Sequence, residues 1–361
     1  MNKSPVLVAL GGLLAMAIGI GIGRFVYTPI LPAMVEALGL SKSEAGLLAS
    51  ANFAGYLAGA LVAIRPLPGS RRAWLLGGLL ATALSLAAMG MTTSMAAFLA
   101  LRLIAGVTGA FTMVFASGLV LDRLAATGRG GLSSVHFAGV GAGIAASAAI
   151  VAPFADWRDM WFASAALAGA ALLAVAWLVP ADTTGTRRAV ATDKVPAALV
   201  VAYGLFGFAY IITATFIVAE VRGTPAIARL EPVIWVLFGL SAAPSVALWS
   251  SLAARWGALR TFAIASFIEA VSIAGSVLWV SDVTIVAAAI LVGGTFMGMT
   301  ALGLLAARGH IALMTASFGL GQIVGPVFAG YLYDLTGSLT LPSLAAAAAL
   351  VAAGALVVRL R

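Results

Sequence analysis

Few residues in this chain are able to do chemistry, and they stand out because their surroundings are apolar. Arg24 lies in "GIGIGRFVYTPILP" (Gly19 to Pro32), Arg102 opens "RLIAGVTGA" and Glu269 sits in "IASFIEAVSIAG". A guanidinium keeps its charge in a protein and offers paired hydrogen bonds to a carboxylate or phosphate. Ionisable residues inside apolar segments mark functional sites by default. Each also has a plainer reading. Arg24 precedes Pro29 and Pro32, which lack backbone N–H groups, so it could cap carbonyls at a kinked helix end. Arg102 is about six residues into its apolar stretch and could snorkel to an interface. Glu269 is either a carboxyl held at a helix interface or a proton-carrying site. His136 is either a structural imidazole or a pH-sensitive group, and His310 reads as a loop residue.

Other chemistries are excluded. There is no Cys, hence no disulfide, thiolate catalysis or Cys-ligated metal. The two histidines are far apart, and no phosphate loop, metal cluster or nucleophile triad occurs. ATP-driven work by this chain alone and an enzymatic function both lose their sequence support, and no cofactor is expected.

The elements that carry these residues follow from composition. The chain has 361 residues, 63% hydrophobic and 9% charged, with 41 Gly; a soluble protein carries about 25% charged residues. Apolar runs long enough to cross about 30 Å of hydrocarbon recur at 6–34, 45–64, 73–93, 96–121, 133–154, 160–180, 197–220, 233–253, 260–280, 283–306, 311–333 and 341–358. The runs are continuous, not alternating, which excludes a β-barrel. The expectation is an all-α integral membrane protein with twelve transmembrane helices. Lys3 and "AMA" (Ala15 to Ala17) resemble a cleaved leader, but the run continues through Gly23, so a retained first helix is expected.

Charge orients the spans. One set of loops holds Lys3, Arg65, Arg71, Arg72, Arg123, Arg129, Arg187, Arg188, Lys194, Arg255, Arg260, Arg308, Arg359 and Arg361, against the acids Asp122, Asp182 and Asp193. The opposite set holds Lys42, Arg158, Arg222 and Arg229, against Glu36, Glu44, Asp156, Asp159, Glu220, Glu231, Asp282 and Asp334. By the positive-inside rule both termini are cytoplasmic and the protein lies in the cytoplasmic (inner) membrane. The net charge of +8 is therefore a topology signal and implies no nucleic-acid partner.

The longest polar connection, "PADTTGTRRAVATDKVP" (Pro180 to Pro196), falls at the midpoint. It divides the chain into a six-helix bundle over 1–180, a cytoplasmic linker over 181–196 and a second six-helix bundle over 197–361. "FAGVGAGI" (Phe137 to Ile144) aligns with "SFGLGQIV" (Ser317 to Val324), setting Gly139 and Gly141 against Gly319 and Gly321. "GRFVY" aligns loosely with "GFAY" of the seventh span, setting Tyr27 against Tyr210. Such repeats build two gates around one central site.

In this layout, and in "GRFVYTPILPAM", "HFAGVGAGI", "FGFAYIITATFI", "GGTFMGMTAL" and "MTASFGLGQIVGP", the chain resembles the YbfB/YjiJ-like branch of the major facilitator superfamily. The resemblance implies two pseudo-symmetric bundles whose first, fourth, seventh and tenth helices line a central cavity. Arg24 and Arg102 then belong to cavity helices without a deep acid, which implies positive potential and an anionic or carboxylate-bearing small-molecule substrate. Tyr27, Asn52, Tyr210 and Gln322 lie in the family-like segments and are the expected substrate contacts beside Arg24. Tyr56, Thr213, Thr215, Thr295, Thr300 and Ser317 are expected mainly to bond neighbouring helices. Arg102, whose segment resembles the fourth-span motif, His136 and the peripheral Glu269 are the coupling or gating candidates. The chain departs from the superfamily pattern after the second span: "GALVAIRPLPGSRR" keeps the basic end and has no Asp. The expected function is secondary active transport, proton-coupled, by a monomer. Proton-coupled efflux of amphiphilic compounds is the alternative. A receptor or scaffold would need a soluble domain or long tail, which these 361 residues do not contain.

Overall fold

The structure, a computed structural model, describes residues 3–65, 67–181, 195–307 and 309–360. All regular elements among them are helical. Eleven helices are long and apolar enough to cross a membrane, and a pair bent by 41° makes a twelfth crossing. We number the crossings α1 (Pro5–Leu38), α2 (Lys42–Ala63), α3 (Arg71–Gly90), α4 (Met95–Ala126), α5 (Ser133–Val151), α6 (Trp157–Leu178), α7 (Ala197–Gly223), α8 (Glu231–Ala242 and Ser245–Trp256), α9 (Ala258–Leu278), α10 (Asp282–Ala306), α11 (Ile311–Thr336) and α12 (Thr340–Val358). Each matches a span expected from hydropathy, with ends moved by a few residues. Residues 182–194 of the expected linker over 181–196 lie outside the described residues, with Asp182, Arg187, Arg188, Asp193 and Lys194 among them, and so do Arg308 and Arg361.

Local chemistry sets the helix ends. Ser4, Ser41, Ser70, Ser94, Asp156 and Ser281 each cap a helix by accepting a backbone N–H with the side chain. Gly39 (φ 66°) and Gly337 (φ 72°) stop α1 and α11 in the left-handed conformation that glycine tolerates. The bend of α8 falls at Ala243 and Pro244, as the missing proline N–H requires.

Helix α1 is irregular in a way that the prolines only partly foretell. Ala17–Ile22 form a π turn, Gly23–Phe25 a short α segment, and the helix restarts at Tyr27. Pro29 offers no N–H to the Phe25 carbonyl, which accounts for the break at Val26. The π turn begins earlier, in the glycine run. There Gly19 packs on Thr112 of α4, Gly21 on Gly143 of α5 and Gly23 on Thr82 of α3; a methyl group at any of these positions would overlap its neighbour.

Helix crossings elsewhere are also set by glycine. Gly139 and Gly143 of α5 lie on the carbonyls of Leu13 and Ala17 of α1, and Gly321 and Gly325 of α11 lie on those of Gly204 and Phe208 of α7. Leu13 thus corresponds to Gly204, Ala17 to Phe208, Gly139 to Gly321 and Gly143 to Gly325. This pseudo-symmetry shifts the sequence alignment, which paired Gly139 with Gly319. The intervening glycines face elsewhere: Gly141 meets Gly239 and Ala243 of α8, and Gly319 meets Leu57 of α2. In the corrected register Tyr210 stands opposite the π turn of α1 and not opposite Tyr27.

Twelve crossings put both chain ends on one face, here the terminal face. Polar contacts between the first six and last six helices gather towards the other, opposite face. Thr28 Oγ1 donates to the Ala214 carbonyl (2.8 Å) and Ser50 Oγ to that of Ile323 (2.6 Å). The N–H groups of Lys42 and Ser43, at the start of α2, donate to Asp334 of α11 at 3.0 and 2.9 Å. Arg222 of α7 pairs with Glu36 of α1 at 2.8 Å and with Glu231 at 3.3 Å. On the terminal face Arg71 pairs with Asp122 at 2.9 Å, within the first six helices. The basic end of the second-span motif, which lacks its acid, thus meets an acid at the end of α4.

Candidate functional site

Arg24 is 8% exposed and stands in a box of rings. Its guanidinium lies 4.0 Å from the centroid of Tyr56, 5.0 Å from Phe53 and 5.7 Å from Phe25. Phe53 and Tyr56 are three residues apart on α2 and so share its face. Cation–π attraction is strongest where water is excluded, so the rings hold the guanidinium in place. The Tyr56 and Tyr210 hydroxyls lie beside it. Arg24 Nη2 has no hydrogen-bond partner, and none of the described ion pairs includes Arg24 or Arg102.

Across the interface, the Gln322 side-chain amide of α11 donates to the Tyr210 hydroxyl of α7, and Gln322 Oε1 is left buried without a partner. Three residues picked from sequence, Arg24, Tyr210 and Gln322, are thereby brought together from both halves of the chain. Arg24 Nη2 and Gln322 Oε1 thus lie on either side of Tyr210 without partners of their own, where buried polar groups are normally satisfied.

Tyr27 and Asn52, also picked from sequence, belong to a neighbouring cluster around Arg102. The Arg102 guanidinium donates to the carbonyls of Leu48 (3.4 Å) and Arg24 (3.2 Å) and lies 4.7 Å from the Tyr27 ring. Asn52 donates to the Arg102 carbonyl at 3.0 Å, and the Tyr27 hydroxyl to that of Ala45 at 2.9 Å. The cluster ties α1, α2 and α4 together and fixes the backbone that carries Arg24.

His136 stands apart from both clusters, and Glu269 makes no contact with either but lies near enough to Tyr210 to act on it electrostatically. His136 is fully buried among three helices: Nε2 is 3.0 Å from Ser117 Oγ of α4, and Nδ1 lies over Gly12 of α1, where a Cβ would strike it. Glu269 of α9 is fully buried, with Oε2 2.6 Å from Thr295 Oγ1 of α10 and Oε1 unpartnered. His310, on the terminal face, precedes α11.

Sequence reasoning passed over the rings. Tyr210 lies parallel to Phe296 (8°, 5.4 Å between centroids) and to Phe318 (3°, 5.7 Å). Phe296 also reaches Phe25 at 6.0 Å. The available signal was Tyr56, four residues after Asn52 on one face of α2. The phenylalanines carried none, because aromatic residues are ordinary core material in an apolar chain.

The twelve crossings, with contacts gathered at one face and a buried charged cluster between halves, define a membrane transporter of the major facilitator type. The chain belongs to the family described as "Uncharacterised MFS-type transporter YbfB", which matches residues 16–358. Similar solved structures include the nucleoside transporter NupG in a point-mutant form (TM-score 0.77, 15% identity, 98% of this chain and 99% of that one) and without the mutation (0.73, 15%, 99% and 99%). The human organic anion transporter MFSD10 (TETRAN) is also similar (0.69, 14%, 99% and 100%). At these identities the likeness shows the fold. No curated protein matches the sequence.

Proposed function

We propose that this transporter carries a small organic anion across the cytoplasmic membrane by alternating access, with both termini in the cytoplasm. The observation that carries the reading is Arg24: a permanent charge, buried, without a carboxylate partner among the described residues, with one nitrogen unanswered. An uncompensated buried charge is costly. An anionic ligand relieves that cost and gains a charge-assisted hydrogen bond at the free edge. The site spans both halves, so a ligand held there touches the two parts that must move against each other. With cross-half contacts gathered on the opposite face, the ligand reaches Arg24 from the terminal face.

Proton coupling forms part of the proposal. The coupling is not assigned to Glu269, the one carboxyl deep in the described helices, which is held by Thr295 at the α9–α10 interface. The test uses purified protein in liposomes with an imposed pH gradient. Uptake of labelled organic acids that depends on both the gradient and Arg24 supports the proposal. Flux of cationic amphiphiles, unchanged in Arg24→Ala, would replace it with amphiphile efflux.

A further inference from the structure

We infer, on the basis of the anion reading above, that the substrate is a monocarboxylate whose body is a flat ring. Two cations are buried here, and each has one unpartnered nitrogen, Arg24 Nη2 and Arg102 Nη1. Arg102 is held through Nε and Nη2 on the carbonyls of Leu48 and Arg24, and so fixes the backbone that carries Arg24. A second carboxylate or a phosphate dianion would have to draw Arg102 off those carbonyls, whereas a single carboxylate is answered by Arg24 where it stands.

The Tyr56 and Phe53 rings close off one side of the guanidinium, 4.0 and 5.0 Å from its carbon, so a carboxylate reaches the unpartnered Nη2 from the side of Tyr210. Beyond Tyr210 the wall is made of rings: Phe296 and Phe318 lie nearly parallel to Tyr210, and Phe296 continues to Phe25. All four are buried. The polar atoms identified in this wall are the Tyr210 hydroxyl and the Gln322 amide. Charge placed against such rings without a counter-ion is penalised.

The rings of this wall already satisfy each other, near-parallel at Tyr210 and edge-to-face between Phe296 and Phe25, both arrangements that aromatic pairs favour. A flat guest replaces ring–ring contacts with ring–guest contacts of the same kind. A flexible aliphatic chain loses those contacts and must also be ordered on binding.

The experiment measures binding to the full-length protein in detergent by calorimetry. The probes are indole-3-carboxylate, benzoate, hexanoate, succinate and inorganic phosphate. The expected result is that both ring monocarboxylates bind about tenfold or more tightly than hexanoate, which has the same charge. Succinate and phosphate are expected to be weaker still. Phe296→Leu and Phe318→Leu should narrow the gap between ring acids and hexanoate. Because the wild-type series stands alone, a variant that fails to fold does not remove the test. Equal binding of hexanoate and the ring acids, or tighter binding of succinate or phosphate, overturns the flat-ring inference and leaves the anion reading standing. Binding of none of the five, or ring-acid binding unchanged in Arg24→Ala, overturns both.

Discussion

The Arg24 guanidinium lies 4.0 Å from the Tyr56 ring centroid and keeps Nη2 without a partner. The geometry separates charge from shape. Arg24→Lys keeps the charge but loses the fork and the flat stacking surface, so ligand affinity should fall by about 1–2 kcal/mol, roughly tenfold. Arg24→Ala should abolish measurable binding, since a desolvated charge contact is lost outright. Both variants should reach the membrane normally, because losing a charge from an apolar span makes insertion no harder. Calorimetry on the purified variants, beside their melting temperatures, checks this. An Arg24→Ala protein that binds like wild type but melts several degrees lower would reduce Arg24 to a structural clasp. Glu269→Gln should fold and change proton-driven flux only modestly. The amide is nearly isosteric, and its carbonyl keeps the contact with Thr295 at the α9–α10 interface. Complete loss of coupled uptake at normal expression would instead make Glu269 the proton site. Arg24 was legible in the sequence because a charge inside an apolar run is rare. Phe296 and Phe318 were not, because their role comes from being parallel to a tyrosine on another helix.

At the scale of elements, α2 and α11 are joined by an uncommon cap. The first N–H groups of a helix have no partner within it. In α2, Ser41 and Glu44 form a capping box, and Asp334 of α11 takes the N–H groups of Lys42 and Ser43. This carboxylate also complements the positive end of the α2 dipole. Opening the opposite face would separate α2 from α11 there and leave those groups to water. Asp334→Asn should therefore favour the conformation open on the opposite face by about 1 kcal/mol, roughly fivefold in population. Spin labels on the α1–α2 and α11–α12 loops, read as a distance distribution, report the shift. An unchanged distribution would make the cap a surface contact only. Hydropathy disclosed the helices themselves, since each needs a long apolar run. It did not disclose their register. The motif "GVGAG" matches "GLGQ" most simply at Gly139 and Gly319, yet contact with α1 and α7 selects Gly321 as the counterpart of Gly139. Which glycine faces the partner depends on helix rotation, and a short string match does not report it.

For the whole molecule, the proposed orientation rests on how basic and acidic residues divide between the two faces. Single cysteines at Lys42, Asp156 and Asp282 should react with an impermeant maleimide on intact cells, whereas those at Arg72 and Arg260 should react only after lysis. The reverse pattern would invert the molecule in the membrane. Arg188, a further probe of the terminal face, lies outside the described residues. The chain carries no native Cys, so every signal comes from the introduced position.

The π turn of α1 has a consequence best put in genetic terms. A π turn holds one residue more than the α-helix around it. Deleting one codon from Ala17–Ile22 would let α1 run as a regular α-helix. Such a deletion removes no charge and little hydropathy, so insertion and abundance should be nearly untouched. The residues beyond it would keep their phase, because the residue removed is the extra one, and Arg24 would stay beside Tyr56 and Tyr210. The allele is expected to match wild type both by immunoblot of the membrane fraction and by ligand binding. A deletion allele that no longer binds would show that the π turn itself places Arg24.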